Sequence, residues 1–246
     1  MPRTARKPLD AFVFDAYGTL FDVDSVTSLA ETLAPGRGAE LSRMWRAKQL
    51  EYTWLQSLMM GDGFAREDFA QVTAEALDYA IATLVLPLDD GDKARLAAAY
   101  LALDAFPEVR DTLAALAPRP RWILSNGTLA GLAPLVRHNR MESLIDGVLS
   151  VDAVGVYKPA PQVYALAAQR LGLPPARIGF VSSNGWDAIG AKAYGFTSFW
   201  INRTGAPVDR HGPWPDHVLG SLGALVAAEG LQGAMPRRTK STRARR

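Results

Sequence analysis

Asp15 is the residue whose type and position point most directly to chemistry. It follows the apolar run Ala11–Phe14 and stands shortly before Gly18. A short apolar run that leads into a glycine is typical of a buried parallel strand ending in a turn. Open α/β sheets bind ligands at the carboxyl ends of such strands, so we predict that Asp15 lies in a binding crevice. Two residues later the chain has Tyr17 rather than a second carboxylate.

Two serines stand at equivalent positions after later strands. Ser125 follows the predicted strand 121–124, and Ser182 follows the predicted strand 178–181. Taken alone, a serine in such a place is more often a turn or a helix N-cap than part of a site. Parallel strands end at one edge of a sheet, however, so these two serines and Asp15 together predict a shared site.

The elements that must position these residues fall into two groups. Between Asp15 and about residue 103, apolar residues recur at helical spacing and predict four helices. From about residue 106, strands and helices alternate, which predicts a parallel sheet with helices on both faces. The face predicted to be apolar on the second helix, 38–59, comprises Leu41, Trp45, Lys48, Tyr52 and Leu55.

This pattern assigns the chain to the α/β class, with a Rossmann-like parallel sheet core and an inserted helical-bundle cap. The predicted core domain comprises residues 8–21 and 100–230, and the predicted cap comprises residues 22–99. Residues 231–246 are expected to form a basic, disordered tail.

Composition excludes several classes of protein. The 246 residues include no cysteine, which rules out disulfides and thiolate chemistry. No apolar run approaches the roughly 20 residues of a membrane-spanning helix, and Met1–Lys7 is basic without an apolar stretch, so we expect a cytoplasmic protein. The last eleven residues hold six of the 27 basic residues, and the remainder is net acidic. We therefore do not expect a nucleic-acid partner.

Four motifs occur in order over roughly residues 9–225. They are Asp15-Ala16-Tyr17-Gly18-Thr19-Leu20, Leu124-Ser125-Asn126-Gly127, Lys158-Pro159-Ala160-Pro161 and Val181-Ser182-Ser183-Asn184-Gly185-Trp186-Asp187. With these motifs the chain resembles the haloacid dehalogenase superfamily, most members of which are Mg²⁺-dependent phosphatases with a second aspartate two residues after the nucleophile. Here that position is Tyr17, which argues against a phosphatase because a phenol with a pKa of about 10 shuttles protons poorly at neutral pH.

The (S)-2-haloacid dehalogenase branch is similar at each of these places. It has Asp-x-Tyr-Gly-Thr first, a cap arginine in a segment like 44–52, and a tyrosine after Lys-Pro, here Tyr164. The resemblance implies hydrolysis of short (S)-2-haloacids to (R)-2-hydroxyacids through an aspartyl ester. It implies no cofactor and no metal, with a small 2-haloacid and water as reactants and a homodimer as the assembly.

The resemblance also implies a role for each motif residue. Asp15 would attack carbon as a nucleophile, and Lys158 would offset the charge of two approaching anions. Asp187, oriented with help from Asn184, would activate water. The remaining expected site residues are Thr19, which would bond the nucleophile, and Ser182, which would position the neighbouring groups.

Binding residues are implied in the same way. Donors must meet the negative charge that develops on the departing halide, and the expected donors are Arg46, Asn126 and Trp186. Ser125 and backbone N–H groups after Asp15 would bind the substrate carboxylate. The other expected binding residues are Tyr17, Tyr164 and the wall residues Leu50 and Phe69, whereas Trp45 and Trp54 are expected in the helix core.

Several alternatives stay open at this point. The sequence does not distinguish Phe64 from Phe69 as the wall residue, and it does not identify the natural substrate or the preferred halide. Fluoroacetate is a possible additional substrate, provided that the halide pocket is compact. A Mg²⁺-dependent phosphatase of small metabolites is the alternative enzyme, and a non-catalytic binding protein is a third reading that the intact Asp15, Lys158 and Asp187 argue against.

Overall fold

A six-stranded parallel sheet forms the centre of the protein. The computed structural model describes residues 8–61 and 63–230. Within them the strand order is β3-β2-β1-β4-β5-β6. The tail predicted at residues 231–246 lies outside the described residues. The strands are β1 (Ala11–Phe14), β2 (Arg121–Ser125), β3 (Gly147–Ser150), β4 (Ile178–Ser182), β5 (Thr197–Ile201) and β6 (His217–Leu219).

The register of β1 with its neighbours brings the predicted site residues to one edge. Phe14, the last residue of β1, lies opposite Ile123 in β2 and Val181 in β4. Because the strands are parallel, Asp15, Ser125 and Ser182 all leave the sheet at its carboxyl edge. All four residues of β1 and all five of β4 are buried, which explains their nearly continuous apolar sequence.

Helices cover both faces of the sheet. The chain crosses from β1 towards β3 in one direction and from β3 towards β6 in the other, so right-handed crossovers place the connecting helices on opposite faces. Accordingly α7 packs with α8, and α5 packs with α9. These helices are α5 (Val109–Ala115), α6 (Leu129–His138), α7 (Pro161–Leu171), α8 (Gly185–Tyr194) and α9 (Ala224–Ala228).

Four helices between β1 and α5 form the predicted helical insertion. They are α1 (Asp24–Leu33), α2 (Gly38–Leu58), α3 (Phe69–Leu84) and α4 (Asp90–Ala99). The long helix α2 packs against α1 and α3, and α3 also packs against α4. Among the described residues, no helix is both long enough and apolar enough to span a bilayer.

The predicted buried face of α2 is correct in its first two turns and wrong after them. Leu41 and Trp45 are buried, whereas Lys48 and Tyr52 are only partly buried and Leu55 is exposed. From the third turn the buried stripe consists of polar side chains, because it faces hydrogen-bonding partners rather than an apolar core. Those polar residues are Gln49, Thr53 and Gln56.

Candidate active site

Asp15 lies at the centre of the candidate site, directly after β1, and its side chain is buried. Its Oδ2 atom accepts hydrogen bonds from Thr19 Oγ at 3.0 Å and from Asn184 Nδ2 at 2.9 Å, with Ser182 Oγ at 3.5 Å. Its Oδ1 atom accepts from Lys158 Nζ at 3.1 Å. A carboxylate oxygen can accept two bonds, so Oδ1 keeps a lone pair for the pocket while Oδ2 is saturated.

Lys158 joins the two carboxylates of the site. Its ammonium lies 3.1 Å from Asp15 Oδ1 and 2.9 Å from Asp187 Oδ2, and the side chain is 1% exposed. Burial by itself lowers the pKa of this ammonium, but the carboxylates of Asp15 and Asp187 outweigh that effect and raise it. Lys158 is therefore a fixed positive charge, and the backbone N–H of the same residue donates to Asn126 Oδ1.

Asp187 is fully buried in the first turn of α8. Its Oδ1 accepts a hydrogen bond from Tyr164 Oη at 2.8 Å, while its Oδ2 is bound to Lys158. Burial raises the pKa of Asp187 to about 6, against the opposing effect of Lys158 and with a further rise from Asp15. A carboxyl group with such a pKa can take up and release a proton near neutral pH.

Two expectations about the surroundings of Asp187 need correction. Tyr164 does not line the pocket, because its hydroxyl lies behind Asp187 and donates to it. The Asn184 side chain contacts Asp15 rather than Asp187, since only its backbone carbonyl accepts from the Asp187 N–H at the start of α8. Asn184 therefore orients the Asp15 carboxylate directly.

Short turns after the strands hold the polar side chains in place. Ser125 Oγ accepts from the backbone N–H of Gly127 at 3.1 Å, and Ser182 Oγ accepts from that of Asn184 at 3.1 Å. In both turns a serine bonds the backbone two residues ahead, which is the local preference of this residue type. The serines thus shape the loops. The Ser182 hydroxyl is directed to Asp15 Oδ2, whereas the hydrogen atom of the Ser125 hydroxyl stays available to another acceptor.

The cap supplies a positive charge opposite Asp15. Arg46, on α2, donates from Nη2 to Asn184 Oδ1 at 3.4 Å and from Nη1 to Gln49 Oε1 at 2.6 Å. The pocket between these groups has a free volume of about 10 Å³, close to what one water molecule needs. Its walls are formed by Asp15, Tyr17, Arg46, Leu50, Phe69, Ser125, Asn126, Lys158, Asn184 and Trp186.

Tyr17 belongs to the apolar wall of this pocket. Its ring stacks on Phe69 with centroids 5.7 Å apart, and burial raises the pKa of its hydroxyl, which stays neutral. Gly127 leaves room for this ring, because a Cβ atom there would lie 2.9 Å from Tyr17 Cε2. The structure also resolves the choice between two phenylalanines: Phe69 lines the site, whereas Phe64 lines a separate pocket beside Tyr52.

Two indoles pack together here, and one of them borders the pocket. Trp186 lines it, and its Nε1–H is buried without a hydrogen-bond partner in the described structure. The ring of Trp54 packs edge-on against Trp186 with centroids 5.6 Å apart. Trp45 lies in the cap core, as expected, and donates to the backbone carbonyl of Thr73 at 2.8 Å. An unpaired N–H at Trp186 suits an incoming anion.

Gln49 was not among the predicted site residues, although it contacts one of them. It is fully buried and bonds both Arg46 and Thr73. Its position one helical turn after Arg46 is the signal that could have found it, because residues three apart are neighbours on a helix.

Comparisons with known proteins agree with this geometry. The family model for haloacid dehalogenase-like hydrolases matches residues 9–195. The chain is 46% identical over 220 residues to an (S)-2-haloacid dehalogenase of Pseudomonas sp. (strain YL), covering 89% of this chain and 93% of that protein. It is 42% identical to haloacetate dehalogenase H-2 of Moraxella sp. (strain B), covering 89% of this chain and 97% of the relative.

Solved structures give the same result. A crystal structure of an L-2-haloacid dehalogenase superposes with a TM-score of 0.88 at 46% identity, covering 91% of this chain and 100% of that one. The L-2-haloacid dehalogenase from Xanthobacter autotrophicus with chloropropionic acid covalently bound has a TM-score of 0.81 at 41% identity, covering 92% and 100%. The chain belongs to the haloacid dehalogenase-like hydrolases, in the branch of the (S)-2-haloacid dehalogenases.

Proposed function

We propose that this protein hydrolyses the carbon–halogen bond of short (S)-2-haloacids and releases (R)-2-hydroxyacids. The observation that carries the proposal is the buried ammonium of Lys158 between Asp15 and Asp187, in a chain 46% identical to an (S)-2-haloacid dehalogenase. Together with the neutral Tyr17, this arrangement favours attack on carbon over phosphoryl transfer.

In the first half-reaction, Asp15 Oδ1 attacks C2 of the substrate. A C–O bond forms, the C–halogen bond breaks, and the halide leaves with the bonding electron pair. Lys158 and Arg46 offset the charge of an anionic nucleophile meeting an anionic substrate. Ser125 lies on the pocket wall with a hydroxyl hydrogen available for the substrate carboxylate.

The departing halide would lie among Arg46, Asn126 and Trp186. Asn126 Oδ1 already accepts from the backbone of Lys158, so its NH₂ group is the part able to donate into the pocket. The unpaired Trp186 Nε1–H and the Arg46 guanidinium complete this set of donors. Leu50, Phe69 and the Tyr17 ring would contact the substrate carbon.

In the second half-reaction, water attacks Cγ of the Asp15 ester. The ester carbonyl oxygen is then Oδ2, and its donors Thr19, Asn184 and Ser182 stabilise the charge that develops there. Asp187 accepts a proton from the water, the Cγ–O bond to the substrate breaks, and the hydroxyacid oxygen takes up that proton. The second proton of the water is released to solvent, which regenerates the Asp15 carboxylate.

Halide release tests this function. We expect wild-type protein to release chloride from (S)-2-chloropropionate and not from its (R) enantiomer. Asp15→Asn should abolish release, whereas Asp22→Asn, a control outside the pocket, should retain it. A panel of short 2-haloacids, with fluoroacetate included, would define the halide preference. Absence of halide release from every member of the panel would refute this function, and phosphate release that a chelator abolishes would favour the phosphatase alternative.

For the assembly, we propose a homodimer that pairs through the C-terminal end of α2. Four apolar side chains at this end are exposed, and exposed apolar clusters often mark protein interfaces. Light scattering should give twice the monomer mass, and the double substitution Leu58→Glu with Met59→Glu should give monomers, while Val85→Glu should not. A monomeric wild type would contradict the proposal. The cluster comprises Leu55, Leu58, Met59 and Met60, with exposures of 41%, 82%, 54% and 48%.

We also propose that the chain divides into a core of residues 8–21 and 100–230 and a cap of residues 22–99. The position of α1–α4 between β1 and α5 supports this division. It is relevant to function because Arg46, Leu50 and Phe69 come from the cap, whereas Asp15 and Lys158 come from the core.

A further inference from the structure

Arg46 is held by an amide rather than by a carboxylate. Its Nη1 donates to Gln49 Oε1 at 2.6 Å, and within the described residues Arg46 forms no salt bridge with Asp or Glu. A carboxylate at this position would neutralise the guanidinium. A carbonyl oxygen instead fixes its geometry and leaves its full charge for an anion in the pocket.

The orientation of the Gln49 amide is determined by Thr73. The Thr73 hydroxyl has one hydrogen, which it donates to the backbone carbonyl of Phe69 at 2.5 Å. It can therefore only accept from Gln49, whose Nε2 lies 2.6 Å away. The NH₂ group of Gln49 must face Thr73, and its carbonyl oxygen must face Arg46.

We propose that Gln49 and Thr73 are positioning residues that fix the Arg46 guanidinium for the halide in the transition state. Gln49 is fully buried and Thr73 is 7% exposed, so water does not replace either contact readily. The inference rests on the proposed function, because it assigns a purpose to Arg46 in that reaction.

The same chain of bonds continues to the nucleophile. Arg46 Nη2 donates to Asn184 Oδ1 at 3.4 Å, and Asn184 Nδ2 donates to Asp15 Oδ2 at 2.9 Å. Arg46 is thus a donor on both sides: one branch passes through Asn184 to Asp15, and the other passes through Gln49 to Thr73. A reversed Gln49 amide would present an N–H to the guanidinium and displace it.

The test compares two threonines of the cap. Thr73→Val removes the hydroxyl that orients Gln49, and we expect it to lower kcat on (S)-2-chloropropionate by about 10- to 100-fold, the range of a displaced catalytic group. Thr53→Val is the matched control. Thr53 is also buried and donates to a backbone carbonyl, that of the wall residue Leu50, but among the described residues its hydroxyl forms no hydrogen bond with the Gln49 side chain.

Leaving-group dependence separates positioning from a structural role. Chloride needs more charge stabilisation than bromide when it leaves. The fall of kcat in Thr73→Val should therefore be several-fold smaller on (S)-2-bromopropionate than on (S)-2-chloropropionate. Thr73→Ser, which retains the hydroxyl, should restore most of the rate. Inhibition by added chloride should weaken in Thr73→Val and stay unchanged in Thr53→Val, which gives a binding readout apart from turnover.

Gln49→Glu keeps the test informative if Thr73→Val does not fold. This substitution preserves the shape of the side chain but pairs Arg46 with a carboxylate. We again expect kcat to fall more on (S)-2-chloropropionate than on (S)-2-bromopropionate, and we expect inhibition by added chloride to weaken. The inference would be overturned if every folded variant lost equal factors of kcat on the two substrates. It would also be overturned if Thr73→Val and Thr53→Val lowered kcat equally. A wild type without halide release would instead refute the proposed function.

Discussion

Asp187 is the residue whose protonation should control the second half-reaction. Its pKa is raised to about 6 by burial, so the carboxylate loses its capacity to accept a proton as the pH falls through that value. Alkylation of Asp15 needs no such base. We therefore expect steady-state turnover to fall below pH 6, while the first equivalent of halide is still released rapidly.

Rapid-quench measurements at pH 5 and pH 7.5 would test this expectation. At the lower pH a burst of about one halide per active site should precede slow turnover, and intact-protein mass spectrometry should detect the ester. Asp187→Asn should produce the same behaviour at both pH values. A burst that disappears together with turnover at low pH would assign the titration to the alkylation step.

Tyr17 should act through its ring and not through its hydroxyl. Burial raises the pKa of that hydroxyl, so it does not ionise at neutral pH, and the ring stacks on Phe69. Tyr17→Phe should retain most of the activity and stability. Tyr17→Ala should lose about 3–5 kcal/mol of unfolding free energy, as large-to-small substitutions of buried aromatics do, and this is measurable by urea denaturation. A large rate loss in Tyr17→Phe would contradict this interpretation.

At the scale of elements, the first turn of α3 connects stability with the pocket. Asp68 caps this helix by accepting from the Gln71 N–H at 2.9 Å, and the first helical residue is the wall residue Phe69. Asp89 caps α4 by the same type of bond at 2.9 Å, but α4 contributes no residue to the pocket. The two caps therefore form a matched pair.

We expect Asp68→Ala and Asp89→Ala each to cost about 1 kcal/mol of stability, the usual value for a lost N-cap. Only Asp68→Ala should also raise KM, because it loosens the turn that holds Phe69 against Tyr17. Thermal melts and initial rates on (S)-2-chloropropionate would separate the two effects. Equal KM values in the two variants would mean that the cap of α3 does not affect the wall.

The elements themselves were largely predictable from the sequence, and the reasons are local. The buried strands β1, β2, β4 and β5 are short apolar runs, and parallel pairing forces Asp15, Ser125 and Ser182 to one edge. β6 and α9 were not predicted, because 217–219 and 224–228 are too short for a clear period. The buried polar stripe of α2 was not predicted either, since Gln49 bonds Thr73 on α3, 24 residues away, and Gln56 bonds Glu67, 11 residues away.

At the scale of the whole molecule, the site exists only where the cap meets the core. Arg46, Leu50 and Phe69 reach Asp15 and Lys158 across this junction. Motif resemblance identified most of these residues by type, but the bonds that cross the junction were not readable from spacing. These contacts join residues more than 80 positions apart in the sequence, and the tertiary structure alone brings such residues together.

Tyr157 is the main junction residue, and it directly precedes Lys158. It is fully buried, its hydroxyl donates to the Glu67 carbonyl at 2.7 Å, and its N–H donates to Ser57 Oγ at 3.1 Å. The Arg66 guanidinium lies over its ring at 4.4 Å. The cap segment that leads to Phe69 is thereby fixed to the core segment that carries Lys158.

Tyr157→Phe should therefore weaken the junction and the site together. Loss of one buried hydrogen bond costs about 1 kcal/mol, which for a chain of this size corresponds to roughly 2–4 °C in Tm. KM should rise as well, because part of the binding energy must then hold cap and core in place. Tyr79→Phe is the control: Tyr79 lies on α3 with 42% exposure, and its substitution should leave both Tm and KM near wild type. A lower Tm without a change in KM would mean that the Tyr157 bond supports folding alone and does not position the two halves of the active site.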